Sequence, residues 1–107
     1  MQLTLNTWQR ITLLQVVNGV KGDLRTVRKA LRAIDVLELS AEDRETVGLA
    51  EHPNGAVTWT DSVHRFELEV PDELVAWLRE QVEAKADWPV SPNVIDLCER
   101  LGVKGDA

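Results

Sequence analysis

This chain of 107 residues has a single cysteine, Cys98. With no second thiol to pair with, it holds no disulfide framework of its own, and a reducing setting, the cytoplasm, is expected. Histidine is almost as scarce: His52 and His64 stand far from Cys98 in sequence, and no CxxC or HxxxH spacing occurs. A zinc site needs three or four such ligands converging at bonding distance, so no metal and no cofactor is expected. No stretch approaches the roughly 18 consecutive apolar residues of a membrane span, and the N-terminal residues show no basic segment followed by an apolar run. Neither insertion nor export is expected. Tyrosine is missing and Phe66 is the only phenylalanine, which leaves Trp8, Trp59, Trp77 and Trp88 to supply nearly all the aromatic surface.

What is present is an ordinary globular composition, 44% hydrophobic and 28% charged, enough for one modest core. One domain over residues 1–103 is expected, with 104–107 a frayed tail. The net charge of −6 is unevenly divided. Residues 1–36 carry six basic side chains against two acidic ones, a net +4, and residues 37–107 carry six against sixteen, a net −10. Such asymmetry marks either a binding surface or the two ends of a charged molecule.

Taken in order, Leu3-Thr4-Leu5 alternates like a short edge strand, and Asn6 and Thr7 are good N-caps for a helix beginning at Trp8. Its apolar positions, Trp8, Ile11, Leu14 (with Leu13) and Val17, recur in steps of three and four up to Asn18-Gly19. Asp23 caps a second helix close behind, so the two form a helical hairpin. Leu24, Val27, Leu31 and Ile34 make one face of that second helix and are expected to be buried. Arg25, Arg28, Lys29 and Arg32 make the other. The helix is expected to end near Asp35 or Val36. Ser40 with Asp43 three residues on approximates a capping box for a short third helix over Ala41–Val47, stopped by Gly48.

Pro53-Asn54-Gly55 marks a hairpin turn, expected to be of type I′. Val57–Thr60 and Arg65–Val70 alternate as strands and are expected to pair antiparallel, with Leu3–Leu5 available as a third. Pro71-Asp72-Glu73 opens a helix whose stripe is Leu74, Val75, Leu78 and Val82, widened by Trp77 and ended by Asp87-Trp88-Pro89. Ser91-Pro92 starts a last helix with Val94, Leu97, Cys98 and Leu101 inside and Gly102 at its end. The fold class is therefore α+β: a helical hairpin plus a short third helix, a small antiparallel hairpin or sheet, and two C-terminal helices.

No constellation argues for catalysis. Cys98 lies on an apolar helix stripe, where cysteine packs as a small hydrophobe rather than reacting as a thiolate. Glu67 and Glu69 share the solvent face of a strand, without the apolar cleft that an acid/base pair requires. Gly19-Val20-Lys21-Gly22 lacks the spacing of a phosphate loop. The chain is expected not to be an enzyme. Trp8, Trp59 and Trp77 fall on apolar faces and are expected in the core; Trp88, in a Trp-Pro corner, either anchors a partner or covers the end of the helical hairpin.

The order strand, helix, helix, short helix, hairpin resembles a winged helix, which implies DNA binding. In that arrangement, however, the recognition helix would be Ala41–Val47, whose Glu42, Asp43 and Glu45 outnumber Arg44 and would repel phosphates. The segments Leu3-Thr4-Leu5, Trp8–Leu14 ahead of Gly22-Asp23, Leu39-Ser40-Ala41-Glu42-Asp43 before Gly48-Leu49, and Val57-Thr58-Trp59 resemble small uncharacterised proteins encoded in phage and prophage genomes. That resemblance implies a bacterial or viral cytoplasmic setting and brings no catalytic residue with it. The functional expectation is a non-catalytic interaction or regulatory protein that binds another protein, with Arg25, Arg28, Lys29, Arg32 and Trp88 as partner-binding residues. The alternative is a nucleic-acid-binding regulator using the same four cations. A homo-oligomer is also open.

Overall fold

A five-residue strand opens the computed structural model, which describes residues 1–61, 63–85 and 87–102. This strand, β1 (Gln2–Asn6), pairs antiparallel with β4 (Arg65–Glu69), Leu3 opposite Leu68 and Leu5 opposite Phe66. Alternation turns Leu3, Leu5 and Phe66 inward, while Gln2 and Glu67 meet on the wet side, 3.2 Å apart. The expected partner of β4 was Val57–Thr60. Instead β3 (Val57–Thr58) folds back on β2 (Ala50–Glu51) as a separate two-stranded hairpin. The buried leucines of β1 give β4 a better apolar face than the half-exposed Val57 does, so the longer-range pairing wins.

The β2–β3 turn departs from type I′ as well. Gly55 N–H donates to the His52 carbonyl at 2.9 Å, and only Gly55, at φ 84°, is left-handed; Asn54 is not. Pro53 and Asn54 therefore occupy the centre of a turn without positive φ, followed by a left-handed glycine, the usual three-residue hairpin alternative.

Five helices complete the described chain: α1 (Thr7–Asn18), α2 (Leu24–Leu37), α3 (Ala41–Val47), α4 (Asp72–Ala84) and α5 (Pro92–Leu101). The α+β class is as expected. Local start and stop signals also act where the sequence places them. Asn6 caps α1, Asp23 caps α2 by accepting from the Thr26 N–H, and Ser40 with Asp43 forms a reciprocal capping box on α3. Ser91 with Pro92 opens α5, and left-handed Gly102 closes it. Gly48 is required twice over. Its φ is 65°, and a Cβ there would collide with the Thr60 hydroxyl, whose residue is held against Val47 by two hydrogen bonds to one carbonyl. Three boundaries shift: α2 runs on through Leu37, α4 ends at Ala84 before the Trp-Pro corner, and α1 starts at Thr7. The frayed tail expected at 104–107 lies outside the described residues.

The core joins β1, the inner faces of α1, α2, α4 and α5, and Val70. A smaller cluster of Leu39, Val47 and Phe66 sits under α3 and the hairpin. One expectation about the core is overturned. The buried face of α2 is Ala30, Ala33 and Leu37, whereas Leu24, Val27 and Leu31 are 73%, 39% and 57% exposed and Ile34 is half-buried. The helix is turned by one residue, about 100°, from the orientation its aliphatic stripe suggests. Small alanines allow α2 to lie closely along its neighbours, and the larger side chains stay outside.

Trp77 is buried, as expected. Trp8 and Trp59 are only half-buried: the β2–β3 hairpin lies over the outer side of α1 and covers it incompletely, leaving a cleft lined by both indoles.

Candidate interaction surface

The outer side of α2 brings together the four cations singled out in the sequence. Arg25, Arg28, Lys29 and Arg32 are all exposed. Arg32 reaches Glu73 at the start of α4, 3.0 Å away, with both side chains largely solvated, an arrangement that contributes little to stability. Among the described residues the other three form no ion pair. The cationic face is thus partly engaged by the chain's own acids and mostly solvated.

Beside these cations run Leu24, Val27, Leu31 and Ile34, separated by steps of three, four and three. Such a stripe is an a/d seam of the kind that packs against another helix. Arg28 stands four residues after Leu24 and three before Leu31, so it borders the seam directly. On the opposite border Ile34 also lines a groove of about 340 Å³, whose other apolar walls are Ile11, Leu14, Leu39, Leu49 and Val57. The Arg44–Glu51 pair, 3.1 Å apart, sits on the rim of that groove. The surface is therefore apolar along its middle, concave on one side and cationic on the other.

Trp88 is elsewhere. Half-buried on the α4–α5 connection, it donates its indole N–H to the Val82 carbonyl at 3.2 Å, and Lys85 lies 5.2 Å above its ring. It therefore covers the C-terminal end of α4, and no described hydrogen bond or ion pair links it to the α2 cations. With Val90, Pro92 and Ile95 it lines a second, wholly apolar concavity of about 540 Å³.

Sequence reasoning missed the most consequential cation. Arg10, counted there only toward the net charge of residues 1–36, is 3% exposed. Its Nε donates to the Leu37 carbonyl and Nη2 to the Glu38 carbonyl, both at 2.7 Å, and Nη1 meets Asp43 at 3.1 Å while the guanidinium lies 4.8 Å over the Phe66 ring. Burial pushes its pKa below the ordinary arginine value and Asp43 pulls it back; an arginine remains charged through either. The signal was present in the spacing: Arg10, Leu13 and Val17 share one helical face.

Cys98, His52 and His64 lie on different parts of the fold. Cys98 is half-buried and its thiol pKa is raised by desolvation, the reverse of an activated thiolate. His52 is exposed with Nε2 2.9 Å from the Thr58 hydroxyl, and His64 packs edge-on against Phe66. Among the described residues no group of three or more histidine, cysteine or carboxylate side chains is placed to hold a metal ion, and no helix is long and apolar enough to cross a membrane. No family model matches the chain, and no curated protein or solved structure does either.

Proposed function

We propose that the protein is a small, non-catalytic interaction module of phage or mobile-element type that works in the cytoplasm by docking another protein on the outer face of α2. The single observation that carries this reading is the exposure of Leu24, Val27 and Leu31 in one helical row. Scattered surface leucines need no explanation, but a contiguous row bordered by charge is a feature of docking sites. Covering what remains exposed of these side chains yields at most about 1.5–3 kcal/mol for each, and less for Val27 and Leu31, which are already partly covered; part of this offsets the cost of association. The phage setting rests on the resemblance given above, and the cytoplasmic setting on the lone thiol.

The four cations favour a second reading, a nucleic-acid-binding regulator. Against it, phosphates make no use of the leucine row, and the exposed side of neighbouring α3 presents Glu42 and Glu45. Capture from native lysate separates the two readings. Wild-type bait is expected to retain one protein with or without nuclease, and bait carrying Leu31→Glu to lose it. Loss on nuclease treatment alone supports the nucleic-acid reading, and equal retention by both baits removes the α2 face from consideration.

A further inference from the structure

The apolar row on α2 has a shape, a length and a charge, and together they specify an occupant. From Leu24 to Ile34 the seam is about 15 Å long, three helical turns. Its 3-4-3 spacing is met by another helix with aliphatic side chains at the same steps, lying along α2 with its far edge in the groove walled by Ile11, Leu14 and Leu49. The near edge of such a helix passes over Arg28, with Arg25 and Arg32 next in line. Asp23, the acid closest to the start of the seam, is occupied in capping: its carboxylate accepts from both the backbone N–H and the hydroxyl of Thr26. Asp35 stands at the far end. Between them residues 24–34 carry four cations and no acid.

We propose that this surface is the receptor for an acidic amphipathic helix, one whose aliphatic stripe covers Leu24, Val27, Leu31 and Ile34 and whose flanking aspartates and glutamates face Arg28 and its neighbours. The inference rests on the protein-binding reading above and names the class of partner. A second copy of this chain is a poorer occupant: an antiparallel two-fold contact across α2 sets like-charged α2 borders together, and a head-to-tail contact with the acidic half of another copy builds a ring or an open filament rather than a closed pair. Duplex DNA satisfies the cations and leaves the leucines in water. An anionic bilayer takes up a basic amphipathic helix, but here α2 offers three exposed aliphatic side chains and no aromatic one.

The test uses the whole protein, isotopically labelled, and two synthetic helical peptides with leucine at every a and d position. One has glutamate at the flanks, which also keeps it from pairing with itself, and the other has lysine. The glutamate peptide is expected to bind and to shift the amide resonances of residues 24–34 together with those of Ile11 and Leu14. Added salt is expected to weaken it, and Leu31→Glu to weaken it about tenfold or more, a single apolar anchor being worth at least that. The double variant Arg25→Glu with Arg28→Glu is expected to reverse the preference toward the lysine peptide. Equal binding of the two peptides by wild type, or binding without shifts on α2, overturns the proposal. So does concentration-dependent self-association abolished by Leu31→Glu, or tighter engagement of α2 by duplex DNA or by vesicles of an anionic phospholipid. If neither peptide binds while lysate capture still depends on Leu31, the partner class is wrong and the protein-binding reading stands. If capture is indifferent to Leu31, both fall together.

Discussion

The two helices of the N-terminal hairpin depart from the usual inside-outside rule in opposite directions. α1 and its cap bury polar side chains, Asn6, Thr7, Gln9 and Arg10, while α2 leaves Leu24, Val27 and Leu31 in water. The difference lies in what each set touches. Asn6 and Gln9 cap one another, and their remaining amide protons cross to α5: Asn6 donates to Asn93 at 2.9 Å, and Gln9 to Asp96 at 2.7 Å and to the Asn93 carbonyl at 3.2 Å. Arg10 is satisfied in the same complete way. Except for the Thr7 hydroxyl, these polar groups are consumed in holding the fold, whereas Leu24, Val27 and Leu31 are left largely uncovered by the chain. Structure accounts for the first anomaly, and the partner proposed above would account for the second.

Substitutions can break that contrast. The largest effect is expected from Arg10→Ala, which strands the Leu37 and Glu38 carbonyls and Asp43; urea denaturation should show a loss of about 3 kcal/mol, the scale of removing one partner from a buried charged network. Gln9→Ala should cost about 2 kcal/mol by the same measurement, because it opens the capping box and leaves Asp96 without its amide donor. Thr7 has the opposite sign. Its hydroxyl oxygen is buried without a hydrogen-bond partner among the described residues, so Thr7→Val should raise stability by up to about 1 kcal/mol. Leu31→Glu should change stability by no more than about 0.5 kcal/mol while removing the partner, a separation that a core leucine cannot produce.

The smallest effect concerns pH. Hydrogen bonds from Thr26 hold the Asp23 carboxyl below its ordinary pKa. A depressed carboxylate pKa stabilises the fold above the unfolded value, and that contribution disappears as pH falls through the folded one. Amide exchange at the start of α2 should therefore quicken below the ordinary aspartate range, while the interior of α4 holds.

Most of what depends on a few adjacent residues was legible in the sequence, the type of the Pro53-Asn54-Gly55 turn excepted. Capping needs one side chain and the next turn of backbone, so Asn6, Asp23, Ser40 and Ser91 could be read directly, as could the glycine stops at 48 and 102. Strand pairing depends on competition between distant segments, and nothing near Arg65 announces that Leu3 and Leu5 outbid Val57. The orientation of α2 was hidden for a different reason. Periodicity locates an apolar arc but does not say whether the core or a partner covers it, and the inward arc was marked by alanines, which carry little hydrophobic signal. The candidate surface was thus half visible. Its cations were identified, and its leucines were found but assigned to the wrong side.

The cross-links from α1 to the far end of the chain also bear on how the molecule comes into being. Asn6 and Gln9 find Asn93 and Asp96 across 87 residues of sequence, and β1 waits for β4, made some sixty residues later. On a ribosome that emits roughly 5–20 residues per second, the first strand therefore spends several seconds with Leu3 and Leu5 uncovered and one full edge open. High contact order of this kind slows folding and prolongs exposure to wrong partners. Through that interval the strand is open to a chaperone or to an aggregate.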